Sequence, residues 1–167
     1  MKRLNGVLLA GLLALSCTGA FAADGAKIGV VDLQKIMQTA PQMKSIQEKL
    51  EKTFKPRRDK LVTMEESLKA DMETFKKDSA IMSPAKKKDM EKKIVAEQQQ
   101  FERDGQQYQQ ELSTAHNEAM EEFYGKIRAA IAKIAEREHY DVVLQKDAAP
   151  FSADKLDVTP QVMKEIQ

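Results

Sequence analysis

The side chains able to do chemistry in this chain are few and scattered. Histidine occurs twice, at His116 and His139, and cysteine once, at Cys17. A structural zinc site needs four closely spaced His, Cys or carboxylate ligands, and nucleophilic catalysis needs a Ser, Cys or Lys beside an oriented base. Neither pattern is present, and no Gly-rich phosphate loop occurs. The sequence therefore predicts no catalytic residue, no metal site and no cofactor. Positive charge, by contrast, is concentrated. Lys76, Lys77, Lys86, Lys87, Lys88, Lys92 and Lys93 stand against Asp78, Asp89 and Glu91, a local balance of +4. Such a cluster can contact anionic lipid headgroups or lipopolysaccharide. The alternative is an ordinary solvated lysine-rich turn. Nucleic acid is disfavoured, because no aromatic stacking positions interleave these lysines.

The lysines sit about a point of mirror symmetry. On one side an apolar stripe runs Met43, Ile46, Leu50, Phe54, Leu61, Met64, Leu68, Met72, Phe75. On the other it runs Met90, Ile94, Gln98, Phe101, Gly105, Tyr108, Leu112, Ala115, Ala119, Phe123. The spacing is that of one face of a long helix. Paired from the inside out, the position numbers of the two stripes add to 165 or 166 throughout. A constant sum is what an antiparallel hairpin requires, with its tip at residues 82–84. Ser83-Pro84 fits an N-cap followed by Pro at the first helical position. The outer faces are filled with Lys, Glu, Gln and Asp. The mean step, close to 3.6, predicts a nearly straight arm, about 60 Å long at 1.5 Å per residue. Arg58 falls opposite Tyr108, where a cation–π contact or a plain polar seam position is expected. Met82 is the methionine expected to be exposed at the tip; Met64, Met72 and Met90 are expected in the seam.

Two residues make bending plausible: Pro56 in the first arm helix, which removes a hydrogen bond, and Gly105 in the second, facing Leu61. Charge is also uneven along the arm. Lys44–Lys60 carries +4 and Glu97–Glu122 carries −6. The pairing sets these two stretches partly side by side, so they offset each other, whereas the basic tip has no complement.

Residues 1–22 do not belong to this architecture. Lys2 and Arg3 precede an apolar run from Val7 to Leu15, and Ala20-Phe21-Ala22 is a small-x-small cleavage pattern. The segment reads as a secretory signal peptide cut between Ala22 and Ala23, and the run is too short to span a membrane. Leu15-Ser16-Cys17 only partly resembles a lipoprotein site, and no polar tether follows. Cleavage would leave 25 basic and 26 acidic residues, a charge near −1, and would remove the only cysteine. An exported chain without disulfides suits a bacterial-type envelope compartment.

The remainder is a small body in two parts, 23–41 and 129–167, flanking an arm at 42–128. Lys27–Val31 reads as a strand, Leu33–Thr39 as a brief helix, Tyr140–Gln145 as a second strand, Phe151-Ser152 as a short extended piece, and Thr159-Pro160 as the start of a last helix. So few strands cannot stand alone, and a body this small cannot bury a sufficient core. Exposed edges then call for partners, and self-association through Ile28, Val30, Val142 and Leu144 is the simplest solution. The fold class expected is mostly α with a small β body.

A signal peptide, Lys27-Ile28-Gly29-Val30-Val31-Asp32, a charged hairpin, Tyr140-Asp141-Val142-Val143-Leu144 and the closing segment Asp157–Lys164 together resemble the Skp (OmpH-like) periplasmic chaperones over essentially the whole mature chain. The resemblance implies a homotrimer with pooled strands and three arms around a cavity. That cavity would hold unfolded outer-membrane β-barrel proteins without ATP. Members are often described as strongly basic; this chain is near neutral, which weakens capture by bulk charge. A structural envelope spacer or a hairpin adaptor is the alternative class, but adaptors carry β-rich domains on both sides of the hairpin, for which this body has no room. An enzyme has almost nothing behind it.

Overall fold

The computed structural model describes residues 25–167. The expected cleavage site at Ala22 and Ala23, and Cys17, lie outside the described residues. In chain order the elements are β1 (Ile28–Val31), α1 (Leu33–Thr39), α2 (Pro41–Asp78), α3 (Pro84–Glu138), β2 (Val142–Gln145) and α4 (Thr159–Glu165), with two short 3-10 turns between β2 and α4.

β1 and β2 pair in parallel, Ile28 opposite Val142 and Val30 opposite Leu144. Parallel strands need a long crossover connection, and here the crossover contains the whole arm. The other edge of β1 is met by the segment before α4: Val158 N–H donates to the Val30 carbonyl at 2.8 Å, and Asp157 forms an isolated bridge with Val30. β1 is thus central, and among the described residues β2 presents the open edge. Phe151-Ser152, expected as an extended piece, forms no strand; the third strand-like contact comes from Asp157 instead.

A single core lies under the sheet. Val31, Ile36, Ala40, Phe123, Ile127, Ala130, Ile134, Val158 and Val162 are buried together, with Met43, Ile46, Ile131 and Val143 packed on them. Both arm helices therefore root their body-proximal turns in the core. Caps fix the joints. Asp32 accepts from the Lys35 N–H at 2.8 Å to start α1, while its own N–H donates to the buried Thr159 hydroxyl at 2.9 Å. α3 ends on His139 in the left-handed conformation (φ 57°), with Tyr140 N–H bonded to the Ala135 carbonyl at 2.9 Å. That is the geometry of a Schellman cap, and it turns the chain into β2.

The arm matches the mirror arithmetic: α2 and α3 are antiparallel, and Ser83 caps α3 through its side chain with Pro84 following. By their residue counts α2 and α3 extend about 57 and 80 Å. Two details differ from expectation. The half-buried positions of α2 beyond Phe54 are Leu61, Met64, Leu68, Asp71, Phe75 and Asp78, and those of α3 facing the first five are Met90, Ile94, Glu97, Phe101 and Asp104. Steps alternating between three and four average 3.5, the heptad pattern of a left-handed coiled coil rather than of a straight helix. Asp71 and Glu97 consequently take the slots expected for Met72 and Gln98, and Met72 is 54% exposed.

Candidate interaction surfaces

The arm is a surface more than a core. Of the 38 residues of α2 only Phe54 is buried; its ring meets Tyr108 edge-on with centroids 6.0 Å apart. Beyond that pair, ions reinforce the seam. Arg57 reaches Glu111, Lys60 meets Asp104 at 2.7 Å, and Lys93 meets Asp71 at 2.6 Å. The Asp104 carboxyl is held below the usual carboxylate range, chiefly by the Lys60 hydrogen bond. Arg58 does not stack on Tyr108: its guanidinium takes Glu51 on its own helix at 2.8 and 3.2 Å. The one cation–π contact among the described residues lies in the body, Lys27 Nζ standing 4.5 Å from the Tyr140 ring centre.

Nearer the body the seam opens into a groove of about 410 Å³ lined by Ile46, Leu50, Phe54, Ala115, Ala119 and Phe123 among others. Its small residues on α3 leave the space. Leu50 and Ala115 line this same groove, as their pairing predicts. A second gap, beside Leu61 and Tyr108, adjoins Gly105, where an added Cβ would meet nothing within 4 Å. Pro56 lies a turn away along the arm, inside an α2 that runs on without a break.

At the tip Ile81, not Met82, is the exposed apolar residue, at 85%; Met82 is half-buried, and the N–H groups of both residues bond the Asp78 carbonyl. The seven tip lysines are not equivalent. Lys93 is drawn into the seam by Asp71, and Lys77 stands 3.8 Å from Glu73. Among the described residues Lys76, Lys86, Lys87, Lys88 and Lys92 form no ion pair, and all are exposed.

On the outer face of the sheet Ile28, Val142 and Leu144 are exposed, and Phe151 beyond them is 87% exposed. Val30 is different: at the centre of the sheet, with Asp157 on one flank and β2 on the other, it is buried within the chain. Its side chain is not displayed for a partner. Sequence reasoning missed Phe151, Ile81 and the Asp71–Glu97 pair, because loop exposure and the choice between neighbouring seam positions carry no periodic signal.

His116 and His139 are both exposed and stand apart, His139 serving as the helix cap described above. No group of three or more potential metal ligands is assembled among the described residues, and no helix among them is long and apolar enough to cross a membrane.

A small parallel sheet carrying a long helical hairpin in its crossover defines a class, and comparison with known proteins gives the family. A family model described as outer membrane protein (OmpH-like) matches residues 27–166; the chain belongs to that family. It is similar to the chaperone protein Skp of Pectobacterium atrosepticum, 31% identical over 94% of both chains. It is 30% identical to chaperone protein Skp of Escherichia coli K12, over 96% of this chain and 98% of that one. An OmpH-like protein of Caulobacter crescentus, solved by crystallography, superposes with a TM-score of 0.75 over 99% of this chain and 90% of its own, at 13% identity, and so shares the fold. The relatives are named as chaperones rather than enzymes, in agreement with a sequence that offers no catalytic constellation.

Proposed function

We propose that this protein is a periplasmic, ATP-independent holdase that binds unfolded outer-membrane β-barrel proteins between its arms, prevents their aggregation and aids their delivery to the outer membrane. The observation that carries the reading is the arm itself. A helix of 38 residues that buries one side chain is not built to stabilise its own chain; it presents surface to something else, in a family whose relatives are named chaperones. An unfolded barrel protein exposes alternating apolar residues and unpaired backbone. Weak contacts spread over long arms shield such a chain without imposing a conformation on it.

On this reading the protein works as a homotrimer. The open β2 edge and the exposed Ile28, Val142 and Leu144 support assembly through the body. Pro56 and Gly105 lie within about one and a half turns of each other along the arm and act as its bending joint. The tip lysines without ion pairs contact anionic headgroups of lipid or lipopolysaccharide.

The test is dilution of a urea-denatured β-barrel protein into buffer with and without the purified mature chain. Light scattering should stay low in its presence. Removing about three turns from each arm helix, symmetrically about Ser83, should abolish protection of large clients before small ones. No protection by the intact chain would favour a structural spacer; equal protection by the shortened one would place binding on the body.

A further inference from the structure

Among the described residues, the large apolar side chains exposed on the two arm helices are Val62 (49%), Met72 (54%), Val95 (53%) and Tyr124 (38%). Each directly follows a residue of the seam: Leu61, Asp71, Ile94 and Phe123. One step along a helix turns the side chain by about 100°. Viewed from one end, antiparallel helices wind in opposite senses, so that step carries the side chains of both to the same flank of the hairpin. The position before a seam residue falls on the other flank. The groove near the body bears this out, since Ser45, Lys49, Glu118 and Glu122, each one place ahead of a seam residue, line it together from both helices. Along α2 and α3 no residue directly before a seam position carries an apolar side chain larger than alanine. The arm therefore has one apolar flank and one polar flank.

The apolar flank is not a continuous stripe. Met72 and Val95 stand at nearly the same height, their positions adding to 167 against 165 in the seam. Val62 lies about 15 Å closer to the body. Gly105 stands beside it at the same sum of 167, with open space where a Cβ would be. Tyr124 is about 30 Å further down the arm. A second helix needs an apolar residue about every 3.5 positions, and a stable dimer buries about 800 Å² on each partner. Four separated, half-exposed side chains supply neither. An anionic lipid surface is disfavoured as well, since Glu65, Glu91 and Glu102 stand among them against Lys69 and Lys76. An extended polypeptide fits. Its same-face side chains recur about every 6.7 Å, so residues four apart span about 13 Å, close to the interval from Val62 to Met72 and Val95.

We propose that this flank is the face by which the arm touches its client, an assignment that rests on the holdase reading. Val62, Met72 and Val95 take alternate apolar side chains of an unfolded barrel segment, the pattern such segments carry, and Tyr124 is the contact nearest the body. The opposite flank, with its hydroxyl and charged side chains, stays solvated. Each contact covers only half a side chain and is separated from the next by charged residues. The client is therefore held at several weak points and can leave them one at a time.

Val62→Thr, Met72→Gln and Val95→Thr together keep the shape of the three side chains and remove their apolar character. In the mature chain the triple variant should retain the parent's helical signal. It should bind a urea-denatured β-barrel protein at least about tenfold more weakly, the scale of three half-exposed apolar side chains no longer withdrawn from water. Ala70→Ser combined with Ala96→Ser, on the other flank, should match the parent. A benzophenone attached through cysteine reads the contact directly, because the expected cleavage leaves the mature chain without a cysteine of its own. Glu65→Cys, directly after Met64, carries the label on the apolar flank, and Ser67→Cys, directly before Leu68, carries it on the polar one. The first should crosslink to the client and the second should not. A parent chain that binds no client would remove the holdase reading and this assignment with it. Parent binding that the triple variant matches, or equal crosslinking from the two labels, would leave the holdase reading standing and overturn the flank.

Discussion

Two glycines in this chain occupy opposite physical situations, and they set opposite expectations for the same substitution. At Gly29 an added Cβ would stand 3.1 Å from Val158 Cγ1 and 3.4 Å from the Tyr140 ring. The central strand comes this close to its neighbours only because position 29 has no side chain. At Gly105 the same atom would meet nothing within 4 Å, and the residue pays the helical entropy penalty of glycine without using the space. Gly29→Ala should destabilise the body by about 1–3 kcal/mol through overpacking. Gly105→Ala should stabilise the arm by up to about 1 kcal/mol through helix propensity. Urea titration followed by circular dichroism should move the midpoint down in the first case and up in the second. The same Gly105→Ala chain tests the joint proposed for the arm: its amide exchange around residues 101–109 should fall, and unchanged exchange there would remove Gly105 from the joint.

At the scale of the element, the arm is two helices whose contact is thin and whose charges are arranged in space rather than merely counted. Inter-helix pairs from Arg57 and Lys60 set the basic stretch of α2 against the acidic one of α3, and Lys93 of α3 pairs in the opposite sense with Asp71 of α2, while the turn keeps its exposed lysines. That leaves a compact positive end on an otherwise balanced rod. Replacing Lys86, Lys87 and Lys88 with Gln should weaken co-sedimentation with anionic vesicles, most strongly at low salt where screening is least. Protection of a diluted barrel client should be unaffected. Vesicle binding that survives the triple substitution would return the tip to an ordinary solvated turn.

For the whole molecule the open question of physics is the sheet. Two paired strands with an apolar outer face do not make an independently stable unit, and among the described residues no strand pairs with the outer edge of β2. A charge at Val142, exposed in the single chain, is harmless to a monomer and costly at a subunit contact, where it would be buried without a partner. Val142→Asp should therefore shift sedimentation from oligomer to monomer, and the smaller species should lose part of its helical signal as the body loosens. A native oligomer formed by that variant would show that the arms hold the assembly together.

The sequence by itself determined what depends on neighbours a few residues apart. The two arm helices, the capped turn at Ser83-Pro84 and their antiparallel pairing are all legible, because apolar spacing reports which face a helix buries and a constant sum reports which residues meet. The strands at Ile28 and Val142 were legible for the same local reason. The tertiary structure alone decided three things. Strands 114 residues apart pair in parallel, and Asp157 rather than the Phe151 segment takes the other edge of β1; both depend on docking across the core, which no local pattern encodes. Asp71 rather than Met72 enters the seam, because a step of 3.5 rather than 3.6 arises only when two helices wind around each other. That small difference in winding accumulates along the arm until a carboxylate occupies the place where the sequence suggested a methionine.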